Sequence, residues 1–269
     1  MPKNSCDCHH HIYDRRFPYA AGDTRALPDA TVADYRRFKQ WLGHTRHVLV
    51  QPSSYGTDNR CLVSALKAFG PTARGEAVVD DTVTDAALDA LAGAGVTGVR
   101  FNLAAGHATS AAMLLPVARR VTERGWHVQV HATADQLWAL RPLLLQIPGR
   151  LVIDHAFRLP QPDPMAHPCW RLAWTLLERG RCWVKLSAPY QQSQREDYAD
   201  MAPVMARFLS QATERVLWGS DWPHPSLISA NRAMPDDAFI LSALCRWAHN
   251  DQVRHRLLVA NPAELYRFD

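Results

Sequence analysis

"HVQVHATADQLWALRPLLLQIPGRLVIDHA", residues 127–156, is the stretch whose reading decides the fold. It opens on "HVQVHA" (127–132) and closes on "RLVIDHA" (150–156), two short runs rich enough in β-branched and apolar residues to be buried strands. Between them "ADQLWALRPLLLQI" carries apolar residues at three- and four-residue steps, the period of one helix face. A strand, a covering helix and a returning strand form the crossover that pairs strands in parallel.

The same unit repeats outward in both directions. Further strand-like runs are "CDCHHHI" (6–12), "HVLVQP" (47–52), "GEAVVD" (75–80), "TGVRFN" (97–102), "CWVKLSA" (182–188) and "RVLWGSDW" (215–222), which makes eight. Helical patterns lie between them, among them "TVADYRRFKQWLG", "DNRCLVSALKAF", "DAALDALAGAG", "AAMLLPVARRVTERG" and "MARFLSQATER", with two or three more closing the chain over 236–266. Eight such units in 269 residues predict one α/β domain over residues 1–269, a (β/α)8 TIM barrel. An open doubly wound sheet would leave edges and usually carries a glycine-rich phosphate loop. "GAGVTG" (93–98) precedes a strand instead of opening a helix, so it reads as a helix cap and turn.

Composition narrows the function classes. Apolar residues at 47% and charged residues at 21% describe a chain able to bury a large core. The net charge of +4, from 30 basic and 26 acidic residues without a long like-charged run, argues against nucleic acid as partner. No apolar stretch approaches the roughly 18 residues of a membrane span, and no secretory pattern opens the sequence, so the expectation is a soluble cytoplasmic protein. Six cysteines without Cys-x-x-Cys spacing read as free thiols.

Active sites of such barrels lie at the carboxyl ends of the strands. Those ends here carry His9 and His11, Gln51 and Ser53, Arg100 and Asn102, His131, His155, Ser187 and Tyr190, and Asp221 with His224. Alternation along the first strand aims His9 and His11 one way, with Asp7 behind them and His10 opposite, and aims Cys6 and Cys8 at the other face. Any one of these groups could be a satisfied core residue. Their coincidence at one rim points instead to chemistry, because each would have to be desolvated against a partner. Neutral imidazoles and a carboxylate, His9, His11, His131 and Asp221, suit one divalent ion such as zinc, manganese or iron better than calcium or magnesium. Such an ion acidifies a water and polarises a carbonyl, with Asp221 or His155 to take the proton. Arg100 offers a planar fork to a carboxylate.

The motifs "DCHHHIYD", "HVQVHA", "VIDHAFR" and "WGSDWPHP" resemble those of the amidohydrolase superfamily along the whole chain. "RFPYA", "VQPSSYGTDN", "GVRFN" and "WVKLSAPY" are similar to the branch containing 2-pyrone-4,6-dicarboxylate lactonase, 4-sulfomuconolactone hydrolase and galactarolactone isomerase. The resemblance implies a metal held by His9, His11, His131 and Asp221, proton handling by Asp221 or His155, and a substrate carboxylate on Arg100 with Ser53 lining the pocket. Arg158 is a candidate second anion clamp, Tyr19 and Tyr190 are weaker ones, and His224 either faces the pocket or fixes its loop. The fourth strand ends without a lysine to bridge two metals, so one ion at most is expected. His131 favours metal dependence, although some lactonases of this branch work without metal. The leading function is a hydrolase opening a small carboxylated lactone. A lactone isomerase acting on a sugar diacid, a metal-dependent nonoxidative decarboxylase and an inactive binding barrel are the alternatives. The expected partner is a small anionic lactone or carboxylic acid, with homo-oligomerisation open.

The other histidines, His44, His47, His107, His127, His167, His249 and His255, are expected in exposed positions. Trp41, Trp138, Trp174 and Trp247 are expected between helices and barrel, and Trp222 beside the pocket.

Overall fold

The structure, a computed structural model, describes residues 1–25, 27–104 and 108–269. Among these residues eight parallel strands run in sequence order around one sheet: β1 Cys6–His10, β2 Arg46–Val50, β3 Ala73–Ala77, β4 Val96–Asn102, β5 His127–His131, β6 Leu151–Ile153, β7 Cys182–Ser187 and β8 Val216–Gly219. The helices are α1 Val32–Leu42, α2 Arg60–Phe69, α3 Asp85–Gly93, α4 Leu114–Glu123, α5 Ala134–Ala139, α6 Arg141–Leu144, α7 Pro168–Glu178, α8 Ala202–Gln211, α9 Pro225–Ser229, α10 Asp237–Trp247, α11 Asp251–His255 and α12 Asn261–Tyr266. The (β/α)8 barrel is as the sequence predicts. Boundaries differ: β3 begins earlier than "GEAVVD", and the helix read over "ADQLWALRPLLLQI" divides into α5 and α6 beside Pro142, whose ring cannot continue the first helix.

Closure is made at the seam between first and last strands. His11 N donates to Trp222 O (2.8 Å) and Asp221 N to His9 O (2.8 Å), and His10 pairs with Trp222 in a parallel bridge. Strand alternation then sorts the side chains. Val99, Phe101, Val128, Val130, Val184, Leu186, Val216 and Trp218 face outward into the helix layer and its large core cluster. Val48, Val152, Trp183 and Leu217 face inward, where Leu265, Tyr266 and Phe268 from the C-terminal end join them.

Cys6 and Cys8 belong to that interior cluster, contrary to the simple alternation. The register shows why: Asp7 pairs with His47 and His10 with Leu49, so three steps on β1 oppose two on β2. This bulge lets Cys8 and His9 both face the interior and turns Asp7 outward, where its carboxylate accepts from Tyr35 Oη (3.0 Å), Ser220 Oγ (2.6 Å) and Ser220 N (2.9 Å). Burial pushes the Asp7 carboxyl up to about 6.

The histidines expected at the surface divide. His44, His47 and His127 are buried, the first two beside Tyr35 and Phe69 under α1 and α2, and His127 inside the barrel on Glu76 (3.0 Å). His249 and His255 are exposed, and His167 caps α7 by accepting from Cys169 N (3.1 Å). His107 lies outside the described residues. Trp138, Trp174 and Trp247 pack on the core, whereas Trp41 is 61% exposed. Trp222 stands against Tyr35 and Phe38, on the helix side and away from the pocket.

An ionic layer crosses the barrel below its mouth. Lys185 Nζ on β7 donates to both oxygens of Glu76 on β3 (3.1 Å each) and to Gln129 Oε1, and all three are fully buried. Removing one partner of such a pair leaves an uncompensated buried charge, which costs more than replacing both. Lys185→Met is therefore expected to lower unfolding free energy by about 3–5 kcal/mol, and Lys185→Met combined with Glu76→Leu to recover much of that loss. Urea denaturation of both variants checks this, and an unchanged midpoint for the single variant would contradict it.

Candidate active site

At the carboxyl ends of the strands a cavity of about 410 Å³ is lined by His11, Ser53, Arg100, His131, His155, Arg158, Tyr190 and Asp221, all singled out in the sequence. Tyr13, Arg25, Asn102, Gln191 and Arg232 join them. Tyr19 does not. Its ring packs edge-on against Tyr55 and its hydroxyl donates to Leu27 O (3.4 Å), so it braces the loop after β1 and offers no clamp to the cavity.

The seam between β1 and β8 builds the centre. His9 Nε2 and His11 Nε2 each stand 3.5 Å from Asp221 Oδ1. The approach depends on Gly219: a Cβ there would lie 2.5 Å from His9 Cβ and 2.9 Å from His9 N. Asp221 itself has φ 64, a left-handed conformation uncommon for a residue with a Cβ.

Proton counting shows what this centre accepts. Val50 O can only accept, so the 2.8 Å contact from His11 Nδ1 places the ring proton on that nitrogen. In the neutral imidazole His11 Nε2 is then the lone pair, and it faces a carboxylate oxygen. His9 is held neutral by burial, its pKa pushed down to about 3, and neither of its ring nitrogens has a hydrogen-bond partner. Burial opposes the charge on Asp221, but its contacts with the surrounding histidines hold its carboxyl well below the usual range. Two imidazole nitrogens and a carboxylate oxygen converging on one point are a group able to hold a cation. Ligands about 2.1 Å from a tetrahedral ion stand roughly 3.4 Å apart, close to the observed 3.5 Å. The set fits a divalent ion with an open position.

His131 is not part of this trio. Its Nδ1 is 3.1 Å from Asn102 Oδ1, its buried Nε2 has no hydrogen-bond partner, and its ring meets that of His155 edge-on at 5.0 Å. A second group within 4.8 Å mutual reach is His9, Asp154 and His155. Asp154, which sequence reading passed over, accepts from Arg100 Nη2 (3.4 Å) and Gln129 Nε2 (3.1 Å) and stands 3.5 Å from His9 Nδ1. Its signal was its inward parity just past the end of β6, two residues after Val152. Arg25 was missed as well, lying in a loop without a motif; it pairs with Asp23 and donates to Ser53 Oγ (3.1 Å).

His155 is placed by an unusual backbone. Residues 155–158 have φ of 50, 50, 60 and 47, a left-handed turn of four residues with side chains, at an expense on the order of 1–2 kcal/mol each. Residues three apart in a tight turn share a side, so His155 and Arg158 both reach the cavity. Ala156 and Phe157 are buried behind, Phe157 stacked on Phe208, and Gln192 Nε2 donates to His155 O (2.6 Å). Ser187 Oγ stands 2.8 Å from His155 Nδ1.

His224 does not reach the cavity. Its Nδ1 is 3.0 Å from Tyr190 Oη and its Nε2 is 3.0 Å from Asp237 Oδ2, so both nitrogens are occupied behind Tyr190. The Tyr190 hydroxyl donates to Asp221 Oδ2 (2.7 Å).

With this geometry, the match of residues 6–268 to the family model described as amidohydrolase decides the identity. The chain belongs to the amidohydrolase family. This amidohydrolase is 32% identical over 280 residues to a 2-pyrone-4,6-dicarboxylate hydrolase of Comamonas testosteroni, covering 99% of the chain and 91% of the relative. It is 30% identical over 270 residues to a D-galactarolactone isomerase of Agrobacterium fabrum, covering 99% and 92%. A crystal structure of an Agrobacterium tumefaciens protein without ligand superposes with a TM-score of 0.91 at 30% identity, covering all of this chain and 97% of that one. The amidohydrolase is an enzyme, and among its described residues no helix is long and apolar enough to cross a membrane.

Zinc is expected to stabilise the protein by about 2.7 kcal/mol at a hundredfold excess over its dissociation constant. Gly219→Ala, which drives a methyl into His9, should abolish most of that gain. Thermal unfolding with and without zinc checks this, and equal shifts in both proteins would contradict the assignment.

Proposed function

We propose that this amidohydrolase opens a small carboxylated lactone with water. The observation that carries the reading is the convergence of His9, His11 and Asp221 at one wall of a cavity that also holds Arg100 and Arg158. Arg100 stands on β4, opposite β8 in an eight-stranded ring, so a carboxylate on its fork sets the ring ester towards Asp221. A divalent ion, zinc or manganese, held by His9, His11 and Asp221 would supply the Lewis acidity that polarises the ring carbonyl.

The chain's own groups do the rest. Asp221, kept ionised, takes a proton from the attacking water as the water oxygen bonds to the carbonyl carbon. The ring C–O bond then breaks, the proton passes to the departing alkoxide, and the product is the hydroxy acid. His155, neutral through burial and fixed by Ser187, is the second group able to exchange a proton there. His131 faces the cavity as a further neutral imidazole, its pKa driven well down by burial.

The likeness to a D-galactarolactone isomerase favours a second reading, in which the ester bond moves between hydroxyls without net hydrolysis. Screening dicarboxylate lactones in ¹⁸O-labelled water separates the two: hydrolysis leaves the label in the product carboxylate, whereas isomerisation does not. Release of carbon dioxide from carboxylic acids would instead favour a decarboxylase.

Two outcomes test the residue roles. Asp221→Asn should leave the fold intact and lower kcat by about 10²- to 10⁴-fold, the usual contribution of a general base; unchanged turnover would remove it from that role. Arg100→Met should raise KM for a carboxylated lactone and leave a neutral one little changed. Equal losses for both substrates would contradict carboxylate recognition.

A further inference from the structure

We propose that Asp237, acting through His224 and Tyr190, is a positioning residue that sets the hydrogen bond holding the Asp221 carboxylate. The inference rests on the role of Asp221 as base. Its basis is an unbroken buried chain: Asp237 Oδ2 to His224 Nε2 at 3.0 Å, His224 Nδ1 to Tyr190 Oη at 3.0 Å, and Tyr190 Oη to Asp221 Oδ2 at 2.7 Å. Asp237 opens α10, well outside the strand ends, and of the three supporting residues only Tyr190 touches the cavity.

Donor counting gives the chain a direction. A carboxylate only accepts, so Asp237 places the proton of a neutral His224 on Nε2 and leaves Nδ1 as a lone pair facing Tyr190. The tyrosine hydroxyl owns one proton and has two acceptors within reach, Asp221 Oδ2 and His224 Nδ1. The single proton is therefore shared between two acceptors, which moderates its hold on Asp221 Oδ2.

Without Asp237 the opposite tautomer becomes available. An Nδ1–H on His224 would donate permanently to the phenol oxygen and commit the tyrosine proton to Asp221, which weakens that carboxylate as a base. Asp221 (φ 64), His224 (φ 65) and Ala188 (φ 47), two residues before Tyr190, are all left-handed without being glycine.

The test compares full-length, zinc-supplemented wild type with Asp237→Ala, Tyr190→Phe and the double variant. Long-range ¹⁵N–¹H spectra of histidine-labelled protein should place the His224 proton on Nε2 in the wild type and lose that preference in Asp237→Ala. With the lactone found in the screen, Asp237→Ala should lower kcat by about 10- to 100-fold, with KM within about twofold. In the Tyr190→Phe background the same change should add almost nothing, since both act through one hydroxyl. A wild-type proton on Nδ1 overturns the proposal, and so do additive losses or a raised KM with unchanged kcat. If Asp237→Ala does not fold, Asp237→Asn, which keeps an acceptor oxygen but loses the charge, carries the kinetic comparison. A wild type that turns over no lactone overturns the lactonase reading, and the tautomer then decides this one.

Discussion

The structure depends on one seam. Two backbone hydrogen bonds, Asp221 N to His9 O and His11 N to Trp222 O, close the barrel and in the same stroke bring residues from the two ends of the strand series face to face. The bulge on β1 makes this productive, because it turns both His9 and His11 inward while Asp7 anchors Ser220 from outside. Closure and site formation are therefore one event. A barrel left open between β1 and β8 would have neither a complete sheet nor a place for a cation.

Below the seam the interior is polar where most barrel cores are apolar. Glu76, Lys185, Gln129, Asp154 and Arg100 form a continuous set of contacts from mid-barrel up to His9. A layer of this kind is a poor source of stability compared with packed hydrocarbon. What it provides is a fixed field beneath the site: Asp154 is held by Arg100 and Gln129, so His9 has an immobile neighbour on the side away from Asp221. Preorganised dipoles need not reorganise when charge develops above them, which is where most catalytic advantage of such sites arises.

Much of this was legible in the sequence, and the reason is periodicity. Valine-rich runs separated by helical patterns specify parallel strands, and polar residues at the ends of those runs mark the rim, so His11, Arg100, His155 and Asp221 could be placed on one mouth without coordinates. What was not legible follows from departures from the regular pattern. Alternation put Cys8 opposite His9, and a one-residue bulge undid it. Tyr19 and His224 sit close in sequence to site residues, but loop conformation, not strand parity, decides where they point. Lys185 and Glu76 were not singled out within their strands, although a charge at inward parity is itself a signal. His44 and His47 were assigned to solvent by residue type alone, while the aromatic packing under α1 and α2 covers them.

The left-handed turn at 155–158 has a consequence for how such a site can diversify. Its four residues have positive φ, where β-branched side chains are strongly disfavoured, and two of them are locked into the core behind. Library design or natural drift at these positions would lose most variants to misfolding before selectivity could be sampled. New substrate ranges are therefore more readily reached through the loop carrying Arg25 and the segment carrying Arg232, whose side chains border the same cavity from the solvent side with few commitments to the interior.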